Sequence, residues 1–130
     1  MTEAQVVIDA VQKIKSVVPY LKCEVPILGR SADFVCVDNN SLLSIEFKLH
    51  NWRKAIKQAK DHQFAADYAY VCMPERNITD LMREAFVLSG IGLYFYVENT
   101  IWPFKEIIPA KKSACTWEPV KTKTMKYLLA

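Results

Sequence analysis

Glycine is scarce, with three in 130 residues, and no segment is repetitive or of low complexity. Collagen-like, linker-like and disordered chains are thereby excluded. No apolar run approaches the roughly 20 residues that a membrane-spanning helix needs, and the N-terminal MTEAQVVIDA is acidic where a secretory signal would be basic. The expectation is a cytoplasmic protein with no membrane partner. No C-x-x-C pair occurs: Cys23, Cys36, Cys72 and Cys115 are far apart, and three of them lie in apolar, strand-like runs. They read as buried free thiols rather than as disulfides or metal ligands. Nor is there a large charge of one sign. Lys and Arg number 17 against 14 Asp and Glu, a balance of +3, too little to announce a nucleic-acid partner without knowing where the cations cluster.

What is present is core-forming material. Hydrophobic residues make up 52% of the chain and aromatics 12%, enough for one compact domain without cross-links. Thr2 and Gln5 have the capping-box spacing, and Val7, Val11, Ile14 and Val18 recur at helical intervals, so 2–18 reads as an amphipathic helix ended by Pro19. A short extended run at 20–25 is broken by Pro26 and Gly29. Residues 32–38 and 42–48 are rich in β-formers, and Asp38-Asn39-Asn40-Ser41 between them tolerates tight-turn geometry. That pattern is a β-hairpin. Asn51 is placed to cap a helix over 52–64, residues 68–73 form a short apolar strand, and Asn77 is placed to cap a helix ending at Gly90. Residues 91–97 and 101–108 read as a strand pair around Glu98-Asn99-Thr100, with Pro103 directing the second to a sheet edge. Trp52, Trp102 and Trp117 read as packing residues. The basic, poorly patterned residues 111–130 read as a tail outside a domain of 1–110. The order α-β-β-β-α-β-α-β implies an α/β fold, a mixed sheet flanked by helices with a crossover after the hairpin.

A tight hairpin centred between Asn39 and Asn40 pairs residues whose numbers sum to 79, which sets Asp33 opposite Glu46. Lys48, two residues beyond Glu46, alternates to the same face. The other face carries Phe34, Cys36, Leu43, Ile45 and Phe47 and must be core, whereas the Asp33 face is apolar only farther along, at Val35, Val37 and Leu42. Two carboxylates about 5 Å apart repel, costing roughly 0.2 to 1 kcal/mol. Hard oxygen ligands on rigid strands suit a magnesium or manganese ion, whose remaining positions take water and phosphate oxygens. Such an ion acts on phosphodiesters, with a nearby lysine stabilising the developing charge.

An Asp on one hairpin strand, here Asp33, and an E-x-K on the next, here Glu46-Phe47-Lys48, resemble the PD-(D/E)XK nuclease superfamily, the restriction-endonuclease-like fold. Glu46-Phe47-Lys48 is the one E-x-K triplet in the chain. It ends a strand, lies opposite an Asp and precedes a helix. Ala32 stands where the family has a proline before its Asp. Gln58 and His62, four apart on the following helix, are similar to the Q-x-x-x-Y of RecB-type members, whose glutamine positions the metal or the scissile phosphate. Glu24 resembles the additional acid of several subfamilies, among them archaeal Holliday-junction resolvases, and so is expected as a third metal ligand beside Asp33 and Glu46. Arg53, Lys54, Lys57 and Lys60, with His62, are expected to hold flanking phosphates.

The resemblance thus implies a magnesium- or manganese-dependent DNA endonuclease, with Asp33, Glu46, Lys48 and Gln58 as catalytic residues. Repair, recombination and restriction are all compatible with it, and RNA is the other polymer it can act on. A domain this small has no evident recognition module, so a homodimer presenting two sites to two strands is expected. The alternative, from another class, is a catalytically silent nuclease-like module that binds nucleic acid or assembles with partners. The plainest reading of the charged residues is a solvated surface cluster of little energetic consequence.

Overall fold

A computed structural model describes residues 2–18, 20–98 and 100–130. The first helix, α1 (Glu3–Ile14), starts where Thr2 and Gln5 exchange capping hydrogen bonds, Gln5 N donating to Thr2 Oγ1 at 3.1 Å and Thr2 N to Gln5 Oε1 at 2.7 Å. It stops at Ile14, one turn short of the expected end; Val18 is buried all the same. Pro19, the expected stop, lies outside the described residues.

The next elements are β1 (Leu21–Ile27), β2 (Arg30–Asp38) and β3 (Ser41–Phe47). Asn39 and Asn40 both have positive φ, 50° and 65°, the conformation that a two-residue hairpin turn demands and that asparagine tolerates. The register runs from Phe34↔Ile45 to Asp38↔Ser41, so every pair sums to 79 as expected. The crossover helix α2 (Trp52–His62) leads to β4 (Tyr68–Met73), parallel to β3. α3 (Asp80–Ser89) then leads to β5 (Gly92–Tyr96), parallel to β4. Thr79 rather than Asn77 caps α3: its backbone is extended and its hydroxyl accepts from Met82 N. β6 (Phe104–Ile108) is antiparallel to β5 and forms the sheet edge directly after Pro103. Residues 101–102, expected in that strand, lie in a bend, and Asn99, expected between the two strands, lies outside the described residues.

The result is an α/β fold, one six-stranded mixed sheet in sequential order β1 to β6 flanked by helices. α1 covers one face, packing Val6, Ala10 and Ile14 on Phe34, Ile45, Phe47, Tyr70 and Tyr94. α2 and α3 cover the other, packing Ala55, Ala59, Met82 and Phe86 on Ala69, Val71, Met73 and Leu93. Residues 111–130 are not a loose tail. They carry α4 (Glu118–Leu129), whose Leu128, with Val120 and Met125 beside it, closes over Val25, Ile27, Val35 and Leu42. Lys121 Nζ lies 2.9 Å from Asp67 Oδ1, and the other oxygen of Asp67 accepts from Leu42 N at 2.8 Å. The helix is thus tied to the start of β3. Cys36 and Cys72 are buried, Cys23 is half-buried and Cys115 is exposed, so the buried-thiol expectation fails for Cys115. It lies in the connection before α4, outside every strand. Trp117 is likewise exposed rather than packed. Among the described residues, no helix is long and apolar enough to cross a membrane.

Because α4 seals one end of the core, Leu128→Ala should destabilise the protein by about 2 kcal/mol, the low end for a leucine truncation because the last helical turn can adjust. Urea unfolding followed by circular dichroism measures this. A loss below about 0.5 kcal/mol, the range of ordinary surface substitutions, would mean that α4 does not contribute to the core.

Candidate functional site

Continuing the β2–β3 register by one position sets Asp33 across from Glu46. Phe47 N donates to Asp33 Oδ2 at 2.9 Å, so the backbone of one strand fixes the carboxyl of the other. Glu46 is only 5% exposed, and Asp33 is half-buried. Burial raises the pKa of both. For Glu46 the charge of Asp33 and a carboxyl–carboxyl hydrogen bond add to the effect and push it up to about 8, against a weaker opposing pull from Lys48. For Asp33 burial outweighs the Phe47 N–H, and the charges of Glu24 and Glu3 add to it. At neutral pH the pair therefore holds a proton, because two charges so close in a desolvated seam cannot both persist.

Lys48 follows β3 directly, and its N–H donates to Cys72 O at 3.0 Å, which extends the parallel pairing. It lines a cavity of about 570 Å³ at the carboxyl ends of β3, β4 and β5, together with Glu3, Phe47, Met73 and Tyr96. Open α/β sheets bind ligands at this end of their parallel strands.

α2 lies over the Glu46 face. Asn51, at φ 53°, caps it by accepting from Lys54 N, and Ala55, Ala59 and His62 turn inward. His62 Nδ1 lies 3.8 Å from Glu46 Oε2, too far for a hydrogen bond. Burial holds the imidazole down at about 4, with Asp61 opposing, so the contact joins two neutral groups. Glu46 Oε2, His62 Nδ1, Gln58 Oε1 and Ser44 Oγ are all buried without a hydrogen-bond partner. Orphans of this kind are rare and call for a specific explanation.

The structure therefore brings together Asp33, Glu46 and His62, with Lys48 at the adjoining cavity and Gln58 one turn before His62 on α2. It corrects the role given to His62, which is 1% exposed and cannot reach a nucleic acid. Glu24 is exposed, sits at φ 54° and accepts from Ser31 Oγ at 2.8 Å; the β1–β2 register sets it across from Asp33, on the side away from Glu46, and with Glu3 the two line one cavity. Among the described residues no cluster of three or more His, Cys, Asp and Glu side chains is arranged to hold a metal ion. Glu3 was not anticipated. From the first turn of α1 its carboxylate accepts from Leu49 N at 3.0 Å and adds to the field on Asp33. Only its place beside the helix cap hinted at a role.

The basic face of α2 is divided. At about 100° per residue, Lys54 shares the flank of Gln58, the flank on which Asp61 pairs with Arg30 at 3.2 Å. Arg53, Lys57 and Lys60 lie on the opposite flank, in a groove facing α3. Of the four expected phosphate-binding cations on this helix, Lys54 alone lies toward the carboxyl pair.

No protein-family model and no curated protein matches the chain. Among solved structures it is similar to SPO1766, a protein of unknown function from Silicibacter pomeroyi, at 11% identity and a TM-score of 0.65, with 99% of this chain and 85% of that one covered. This likeness extends to the fold alone.

The pair fixes how stability without metal depends on pH. Glu46, raised from 4.5 to about 8, contributes stability that is complete below pH 4.5 and is lost as pH rises through 8. His62, lowered from 6.5 to about 4, contributes in the opposite sense, fully above 6.5 and lost as pH falls through 4. Between 4.5 and 6.5 the two oppose each other; from 6.5 to 8 only the carboxyl acts, so stability in chelator should fall across that interval. Urea titrations at several pH values measure it, and Glu46→Gln should flatten the fall. A wild type whose stability is constant or rising from pH 6.5 to 8 would show that Glu46 is ionised.

Proposed function

We propose that the chain is a metal-dependent phosphodiesterase of the PD-(D/E)XK, restriction-endonuclease-like type, acting on DNA, with RNA as the second candidate polymer. The observation that carries this reading is the Asp33–Glu46 pair, two carboxyls forced together by strand register beside Lys48. Its support is chemical. An arrangement that costs stability and leaves Glu46 Oε2 and Gln58 Oε1 buried without partners suits a hard, divalent cation better than it suits a structural role.

Asp33 and Glu46 would hold magnesium or manganese, and Gln58, whose Oε1 is buried without a partner, is a neutral oxygen donor that α2 offers. When bound, the ion supplies Lewis-acid polarisation of the phosphoryl group and a water of lowered pKa. The Lys48 ammonium, at the mouth of the cavity, stabilises negative charge as it grows on the phosphate. Lys54 neutralises a flanking phosphate from the flank of α2 that carries Gln58. Glu3, by accepting from Leu49 N, fixes the backbone next to Lys48. A homodimer would present two such sites to two strands.

A silent nucleic-acid-binding or assembly module is the second reading, favoured by the proton that the Asp33–Glu46 pair retains at neutral pH, which also relieves the repulsion.

Purified protein should cleave DNA in magnesium or manganese and not in excess chelator, as gel assays on duplex, branched and single-stranded substrates will show. Lys48→Ala should lower kcat by roughly 10²–10³-fold while leaving manganese binding intact. Lys54→Ala should reduce the slope of log affinity against log salt by about 0.9. Cleavage that survives chelation would refute the metal assignment. No cleavage of any DNA or RNA form would favour the silent module.

A further inference from the structure

Across α2 from the carboxyl pair, an open groove of about 410 Å³ runs between α2 and α3. One wall carries Arg53, Lys57 and Lys60, spaced i, i+4 and i+7 along α2, and the other carries Leu81 and Leu88, an i, i+7 pair on α3. Ile56 and Ala85 form part of the floor. Leu81 is 59% exposed and Leu88 78%; burial elsewhere in the fold gives no reason for either to be leucine. The groove lining contains no Asp or Glu. Among the described residues, the ion pairs are Lys13–Asp9, Arg30–Asp61, His62–Glu46 and Lys121–Asp67, so the three cations of the wall have no carboxylate partner. Arg53 is held in place over the Trp52 ring, 4.3 Å from its centroid.

We infer that the α2–α3 groove is a docking surface for an acidic peptide segment of a partner protein, one that presents carboxylates to Arg53, Lys57 and Lys60 and apolar side chains to Leu81 and Leu88. Charge complementarity selects this occupant. A second copy docking groove to groove would set each cation against its own kind, because a two-fold interface repeats the same patch on both sides. Duplex DNA would match the lysine wall but lay phosphates along exposed leucines. A membrane surface would meet a concave groove rather than a projecting apolar ridge. An amphipathic acidic helix fits both walls, since its own i, i+4 and i+7 positions form one stripe.

The inference does not depend on the phosphodiesterase reading. The probe is a fluorescein-labelled helical peptide with leucines at i, i+4 and i+7 and glutamates beside them, titrated with the full chain in chelator and followed by anisotropy. Binding should saturate, weaken with salt and weaken at least about tenfold in Lys57→Glu/Lys60→Glu and in Leu81→Ser/Leu88→Ser. Both leucines are exposed, so the second double variant should keep the wild-type melting curve and any cleavage activity. Lys57→Arg/Lys60→Arg should bind like wild type. The proposal is overturned if a peptide with serines in place of the leucines binds equally well, or if neither double variant changes affinity. It is also overturned if the same substitutions abolish binding to duplex DNA or to phosphatidylserine vesicles, or dissolve a dimer seen by sedimentation, while the peptide does not bind.

Discussion

Two carboxyl groups held against each other in a desolvated seam cannot both be charged, and the rest of the structure around Asp33 and Glu46 is arranged so that they cannot move apart. The Asn39-Asn40 turn sets the register, and the register sets the pair. A slip of one residue would carry Phe34, Cys36 and Ile45 out of the α1 core and turn every side chain of the hairpin to the wrong face. Apolar burial on both faces of β2 and β3 thus enforces an electrostatic conflict. Phe47 N–H and a shared proton relieve it only in part. Under the proposed function a divalent cation would remove the conflict altogether, and its binding would displace the proton.

The other elements serve that geometry at different distances. The β3–α2–β4 crossover lays His62 over Glu46, burying a neutral imidazole 3.8 Å from its carboxyl. The termini of β3, β4 and β5 open a cavity in front of Lys48. α4, tied through Lys121 and Asp67 to the backbone of Leu42, closes the far end of the hairpin, where the Asp33 face becomes apolar. A polar end and an apolar end of one strand pair are sealed by different helices. The two flanks of α2 are likewise chemically distinct, one beside the carboxyl pair and one facing α3.

What was legible in the sequence was local. Alternation in 32–38 and 42–48 and two asparagines at the turn suffice to derive the Asp33–Glu46 pairing, because a tight hairpin leaves one register. The capping box of α1 and the strand at 68–73 follow from patterns equally short. α4 was not legible: its first turn has no side-chain cap hydrogen bond and few of its residues are buried, so it is a helix by virtue of packing on β1 and β2 rather than by periodicity. The burial of His62 was hidden for a related reason. An i, i+4 partner of Gln58 reads as a surface residue until the sheet beneath it is known. Glu3 comes near Asp33 only when α1 packs across the sheet, a proximity between residues 30 apart in the chain that no motif encodes. The split of the basic helix into two flanks required knowing which side α3 occupies.

The central claim is that the carboxyl pair is a cation site held closed by a proton. Calorimetric titration of the full chain with manganese at pH 7, in two buffers of different ionisation enthalpy, tests it most directly. The account predicts one ion bound per chain with release of a proton, and loss of both signals in Asp33→Asn and in Glu46→Gln. No binding by wild type, or binding that either substitution leaves unchanged, would contradict it.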